Sequence, residues 1–229
     1  KEHILDNPDT YIGSVENIDS NLWVFDDESK NIKLKTIEYI PGLYKLFDEG
    51  IVNARDHVVR MINSPILKKH FVSEIKINIT KEGTIEMYND GNGIDIEKHP
   101  EYDIWIPEMI FGHLRTSTNY KKNEKRIVGG KNGFGFKLVL IWSTYGKIET
   151  VDHIRGLKYV QEFKNNLDEL CPPIITKVKN VKPYTKVTFI PDYKRFGMQG
   201  MTNDIFYLLK KRVYDIAAVT DHSIKKVKL

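Results

Sequence analysis

The sequence predicts one α/β (α+β) domain, a mainly antiparallel sheet with helices packed on one face. Three observations predict it. Short stretches alternate apolar and polar residues and pair across tight polar turns, the pattern of half-buried antiparallel hairpins. Two longer segments, 41–63 and 201–219, repeat their apolar residues at helical spacing. No internal repeat, low-complexity segment or linker divides the 229 residues.

Taken in order, residues 6–14 (DNPDTYIGS) carry turn chemistry around Asn7-Pro8-Asp9, with Tyr11 and Ile12 as anchors. Residues 22–25 and 33–40 are β-prone and flank a polar turn, so they predict a hairpin. Residues 41–63 form the clearest helix. Pro41 suits a first turn, and Leu43, Leu46, Phe47, Ile51, Ala54, Val58, Met61 and Ile62 make one stripe. Ser64-Pro65 ends it. Gly50 lies inside, at a cost of roughly 1 kcal/mol relative to Ala. Residues 74–80 and 84–88 alternate about Lys81-Glu82-Gly83 as a second hairpin, which runs into the glycine turn Asn89-Asp90-Gly91-Asn92-Gly93. Residues 107–114 read as a short helix, and 116–128 as a polar, lysine-bearing loop or lid. A glycine loop follows, then a helix to about Tyr145. Residues 147–152, 158–163, 174–178 and 185–190 are strands punctuated by prolines. Residues 201–219 are the second strong helix, with Thr202 or Asn203 as N-cap, and 224–229 a final strand.

Composition narrows the function classes. With 41% hydrophobic and 29% charged residues the chain is an ordinary globular protein. No apolar run approaches a transmembrane length, and the first residues do not resemble a signal peptide. Without an initiator Met, a fragment or processed chain is expected. Cys171 is the only cysteine, which excludes an internal disulfide or a cysteine-based zinc site and fits a reducing compartment. A net charge of +4 permits nucleic-acid contact without showing it.

The stretch 127–137 places four glycines within seven residues, ahead of the apolar run 138–142. Glycines let a backbone approach a ligand, and converging N–H groups bind anions. The GK[ST] ending of a Walker A loop is missing, and the order does not fit the Rossmann fingerprint. Alone, the stretch is compatible with a phosphate cradle and equally with a surface loop. Glu49 and Asn53, four apart, share one side of the first long helix; a solvated face explains them as well, since Asp48 and Asp56 are also there.

The order of these signals is more specific than any one of them. Glu-x-x-x-Asn on a helix, Asn-Asp-Gly-x-Gly after a strand, Gly-Gly-x-Asn-Gly-x-Gly before a helix, and Tyr184-Thr185-x-Val-x-Phe on a late strand follow one another. This order resembles the ATPase family of DNA gyrase, the ninety-kilodalton heat-shock chaperones, histidine kinases and mismatch-repair ATPases (the GHKL family). Its Bergerat-type ATP-binding fold is a two-layer α/β sandwich. PDTYIGS at 8–14, FDE..VNA at 47–54, TSTNY at 116–120, GGKNGFG at 129–135 and YDIA at 214–217 are further similar to the N-terminal ATPase region of eukaryotic-type (type IIA) DNA topoisomerases. That resemblance covers nearly the whole chain.

The resemblance implies roles. Glu49 matches the general base that activates water for attack on the γ-phosphate of ATP. Asn53 matches the ligand of Mg2+, for which an amide oxygen is a suitably hard donor. Asn89 matches the reader of the adenine edge, and Thr185 its support through water. Ser117, Thr118 and Asn119 match lid residues near ribose and phosphates. Gly130, Lys131, Asn132, Gly133, Phe134, Gly135, Phe136 and Lys137 match the phosphate loop. Gly50 departs from the family, which has a larger apolar residue there, and is expected to loosen the helix carrying Glu49. The family also uses an N-terminal strap that reaches the partner subunit, and a transducer domain with a lysine that completes the site; 1–229 is expected to hold one ATPase domain lacking most of the strap and all of the transducer and DNA-cleavage domains. Implied partners are duplex DNA, through the full enzyme, and a second copy on ATP binding, with no membrane. The implied location is the nucleus for a cellular enzyme, or host nucleus, cytoplasm or virion for a viral one. The alternatives are another member of the same ATPase superfamily, or a DNA-binding or interaction module with a degenerate nucleotide site.

Overall fold

The computed structural model describes residues 1–66, 69–113 and 135–220, and the backbone of 226–228. The chain opens with two short helices, α1 (Glu2–Asp6) and α2 (Pro8–Tyr11). Turn chemistry alone was expected here. Pro8 instead opens α2 with its φ already helical, and Asn7 is the break between the two. The hairpin β1 (Ile18–Asp26) and β2 (Asn31–Tyr39) is longer than its β-prone cores, and all nine residues of each strand pair. It stands as a separate two-stranded sheet.

Helix α3 (Pro41–Asn63) matches its predicted bounds, with Pro41 in the first turn and Ser64 extended ahead of Pro65. Strands β3 (Glu74–Ile79) and β4 (Ile85–Asp90) form the second hairpin, and α4 (Ile106–Gly112) follows. Helix α5 (Gly135–Ile141) is shorter than predicted, because β5 (Ser143–Asp152) begins at once. The Ser143 hydroxyl donates to the Val139 carbonyl at 2.6 Å and closes the last turn, while Ser143 pairs with Pro191 across a bulge. Then come β6 (Leu157–Lys164), β7 (Glu169–Leu170), β8 (Ile174–Lys177) and β9 (Tyr184–Pro191). A 3-10 turn (Tyr193–Phe196), α6 (Asn203–Val219) and β10 (Lys226–Lys228) complete the described chain. Thr202 is the N-cap of α6, accepting from Ile205 N–H at 3.3 Å.

The main sheet runs β10-β3-β4-β9-β5-β6-β7, with β8 on β6. Its pairings are antiparallel except β10 on β3. Register assigns the faces. Ile77, Met87, Val187 and Ile148 stand abreast on β3, β4, β9 and β5, all buried in one core with α3 residues Leu46, Phe47 and Ile51. The other face carries Lys76, Tyr88, Lys186 and Glu149. Lys76 lies over the Tyr88 ring at 4.7 Å, and Glu149 takes Lys158 at 3.1 Å and Lys186 at 3.3 Å. The sheet is thus apolar toward α3 and charged on the far side.

Candidate functional site

Where the strand row under α3 turns from apolar to polar, a cleft of about 320 Å³ opens. Helix α3 forms one wall with Glu49, Asn53, His57 and Arg60; β4 and β9 form the floor with Met87, Asn89, Thr185 and Val187. Ile94, Phe111 and Phe136 add apolar surface, and Gly135 closes one end.

Helical spacing brings Glu49 and Asn53 to the same wall, as the sequence predicts. Lys45, one turn earlier, holds Glu49 Oε1 at 2.6 Å. The Asn53 amide donates to the Glu49 carbonyl at 2.7 Å. One of its two N–H donors is thus held on the helix backbone, and its oxygen is the atom suited to a cation. A Cβ built on Gly135 would lie 2.9 Å from Glu49 Oε2 and 3.0 Å from Asn53 Nδ2. Helix α5 therefore starts directly against the acid–amide pair, because residue 135 has no side chain.

On the floor, register places Asn89 beside Thr185 and Thr185 beside Thr150. Asn89 donates from Nδ2 to the Asp90 carbonyl at 3.0 Å, which leaves Oδ1 as its acceptor. Asp90, fully buried, points the opposite way. It accepts from the Ser73 and Glu74 N–H groups at 2.7 and 2.9 Å, and from the Ser73 hydroxyl and Lys182. Burial pushes its pKa up, but Lys182, the Ser73 hydroxyl and the two N–H groups outweigh burial and hold the carboxyl below its usual range. The glycine turn follows at once. Gly91 sits at φ +90°, a conformation side chains rarely adopt. A Cβ on Gly93 would overlap the Val151 carbonyl and lie 2.8 Å from Thr150 Oγ1.

At the far end, His57 Nε2 lies 2.8 Å from the Asn92 carbonyl and must donate to it, so Nδ1 is left to accept from Arg60 at 3.2 Å. Burial, and then the neighbouring Arg60 charge, lower the His57 pKa to about 4. The ring is neutral at physiological pH.

The sequence-predicted residues divide three ways. Glu49, Asn53, Asn89, Gly135, Phe136 and Thr185 all line this one cleft. Lys137 is buried in α5 and lies outside the lining: it is one helical step on from Phe136, which faces the cleft. Ser117, Thr118, Asn119, Gly130, Lys131, Asn132, Gly133 and Phe134, with the lid segment 116–128, lie outside the described residues. Helix α3 runs unbroken through Gly50. A Cβ there would overlap the Met87 sulfur and lie 2.9 Å from its Cε, so Met87 fills the space over this glycine. Sequence reasoning missed Met87, His57, Arg60 and Thr150. For Thr150 a signal existed, a hydroxyl on the apolar side of an alternating strand.

Among the described residues no group of three or more His, Cys, Asp and Glu could hold a metal ion. None of their helices is long and apolar enough to cross a membrane. Residues 38–190 match the model of the histidine kinase-, DNA gyrase B- and HSP90-like ATPase family. The chain belongs to this ATPase family. The matched span contains every lining residue of the cleft, so the acid–amide wall and the polar floor are parts of an ATPase domain. This ATPase is 50% identical over 216 residues to DNA topoisomerase 2 of Saccharomyces cerevisiae, covering 94% of the chain and 15% of that protein. It is 48% identical over 228 residues to DNA topoisomerase 2 of Acanthamoeba polyphaga mimivirus, covering 97% of the chain and 17% of the relative. The crystal structure of the Saccharomyces cerevisiae topoisomerase II ATPase region superimposes with a TM-score of 0.88 at 48% identity, over 100% of this chain and 58% of that one. The ATPase chain thus spans about a sixth of the length of the curated relatives it matches.

Proposed function

We propose that this chain is the ATP-binding and hydrolysing domain, one ATPase unit over 1–229, of a type II DNA topoisomerase. The reading is carried by the joining of Glu49, Asn53, Asn89 and Thr185 around one cleft in a chain about half identical to topoisomerases along nearly its whole length. Asn89 Oδ1 accepts from the adenine amino group, and Thr185 supports the contact. Glu49 orients the attacking water and accepts its proton as the γ-phosphate leaves ADP. Asn53 would hold Mg2+ through its amide oxygen, and the ion supplies charge neutralisation to the phosphates. The donor set fits that group: with one Asn53 N–H held on the helix backbone, the amide oxygen is the hard donor.

In the whole enzyme, ATP binds the dimeric, closed state more tightly than the open one. Two copies then close a gate around duplex DNA, and hydrolysis resets it. A cellular enzyme of this kind works in the nucleus; a viral one works in the host nucleus or cytoplasm, or travels in the virion.

Titration calorimetry with a non-hydrolysable ATP analogue and Mg2+ tests the site. Binding is expected with little turnover and weak dimerisation by this chain alone; no heat at millimolar nucleotide would sink the reading. In the full-length enzyme, Glu49→Ala should abolish hydrolysis and supercoil relaxation while nucleotide binding persists. Wild-type turnover by that variant would remove Glu49 from the role of base.

A further inference from the structure

Thr150 does not line the cleft, yet it is fully buried directly behind a residue that does. Its hydroxyl has three neighbours. The Ile94 N–H donates to it at 3.0 Å. The Tyr184 carbonyl lies 3.0 Å away, and the Thr185 hydroxyl 3.1 Å away. The Ile94 group can only donate and the Tyr184 carbonyl can only accept. Two oxygen–oxygen contacts thus need a proton each, and only the two threonines carry one. The Thr150 proton must go to the Tyr184 carbonyl. The Thr185 proton must then go to Thr150. The reverse order would face the Tyr184 carbonyl with a bare lone pair, a repulsive contact in a buried site.

We infer that Thr150 is a specificity-determining positioning residue, which fixes Thr185 as a hydrogen-bond acceptor toward the cleft. Asn89 next to it is oriented by the bond from one of its two N–H groups to the Asp90 carbonyl. The Thr185 hydroxyl therefore presents an acceptor and no donor toward the cleft. Whatever meets it, a base edge or a bridging water, must bring N–H or O–H groups. A 6-amino purine does so; a 6-oxo purine brings a carbonyl that the Thr185 hydroxyl cannot satisfy. Sites built this way reject the mismatched partner because a buried polar group is left unpaired. This inference rests on the nucleotide reading above and adds a residue that acts only through Thr185.

The test compares binding of non-hydrolysable 6-amino and 6-oxo purine nucleoside triphosphate analogues to wild type, Thr150→Val and Thr150→Ser. Wild type should favour the 6-amino analogue by at least about tenfold. Thr150→Val frees the Thr185 hydroxyl to rotate and donate, and should narrow that ratio by about fivefold. Thr150→Ser keeps the relay and should keep the wild-type ratio, which a purely structural role of the methyl-bearing side chain would not predict. An unchanged ratio in folded Thr150→Val overturns the inference. Binding of neither analogue by wild type would instead overturn the nucleotide reading itself. Should Thr150→Val fail to fold, nuclear Overhauser contacts of the two hydroxyl protons in wild-type protein decide. The Thr150 proton must lie on the Tyr184 side and the Thr185 proton toward Thr150; the opposite order overturns the relay.

Discussion

Individual side chains in this cleft are defined by what their other atoms already do. Asn53 and Asn89 each place one amide N–H on a main-chain carbonyl, which sets how each amide and its oxygen are oriented. His57 shows the same logic with a titratable group. Its donor nitrogen is fixed on Asn92 and its acceptor nitrogen faces Arg60, an arrangement only the neutral ring can make. Its folded pKa of about 4 lies below the ordinary 6.5, so the unfolded chain takes up a proton first as pH falls. His57 therefore contributes full stability above pH 6.5 and loses it progressively between pH 6.5 and 4. His70 shifts in the same direction, through burial and then His153. Urea unfolding at pH 7 and pH 5 should show His57→Asn losing less stability on acidification than wild type, by about 2 kcal/mol. Equal losses would show that His57 is not the group responsible. None of this was legible beforehand, because a histidine in a helix gives no hint of which carbonyl lies opposite each ring nitrogen.

Elements were legible where periodicity was strong and obscure where one residue decides a boundary. The apolar stripe and the flanking prolines gave α3 its observed ends, and alternation gave β3, β4, β6 and β9 nearly theirs. The end of α5 was lost because 138–142 is apolar throughout, and such a run reads equally as helix or buried strand. The element most exposed to a single substitution is the glycine turn after β4. A methyl group at residue 93 meets the Val151 backbone, which cannot swing aside as Met87 can at Gly50. Gly93→Ala should thus cost at least about 3 kcal/mol in denaturant unfolding, or abolish folding. Gly50→Ala should stay within about 1 kcal/mol, since its gain in helix propensity offsets the displacement of Met87. A loss under 1 kcal/mol for Gly93→Ala would contradict the close approach described.

The whole molecule joins an α3 wall to a β4–β9 floor, so a ligand held between them bridges two layers. An analogue at one hundred times its dissociation constant should stabilise the fold by about 2.7 kcal/mol. For a chain of this size that is a rise in melting temperature of roughly 5–10 °C, and Asn89→Ala should lose most of it at the same nucleotide concentration. A rise of the same size in that variant would place the ligand elsewhere. The sheet order adds a consequence in time. Strand β9 lies between β4 and β5, yet it follows β4 by more than ninety residues. On the ribosome the wall helix and the β3–β4 hairpin emerge early, but the half-floor they make has no Thr185. Nucleotide cannot guide the nascent chain until β9 has been synthesised and threaded into the gap. Until then the β4 edge is open to other strands, the interval in which mispairing and chaperone capture compete with folding.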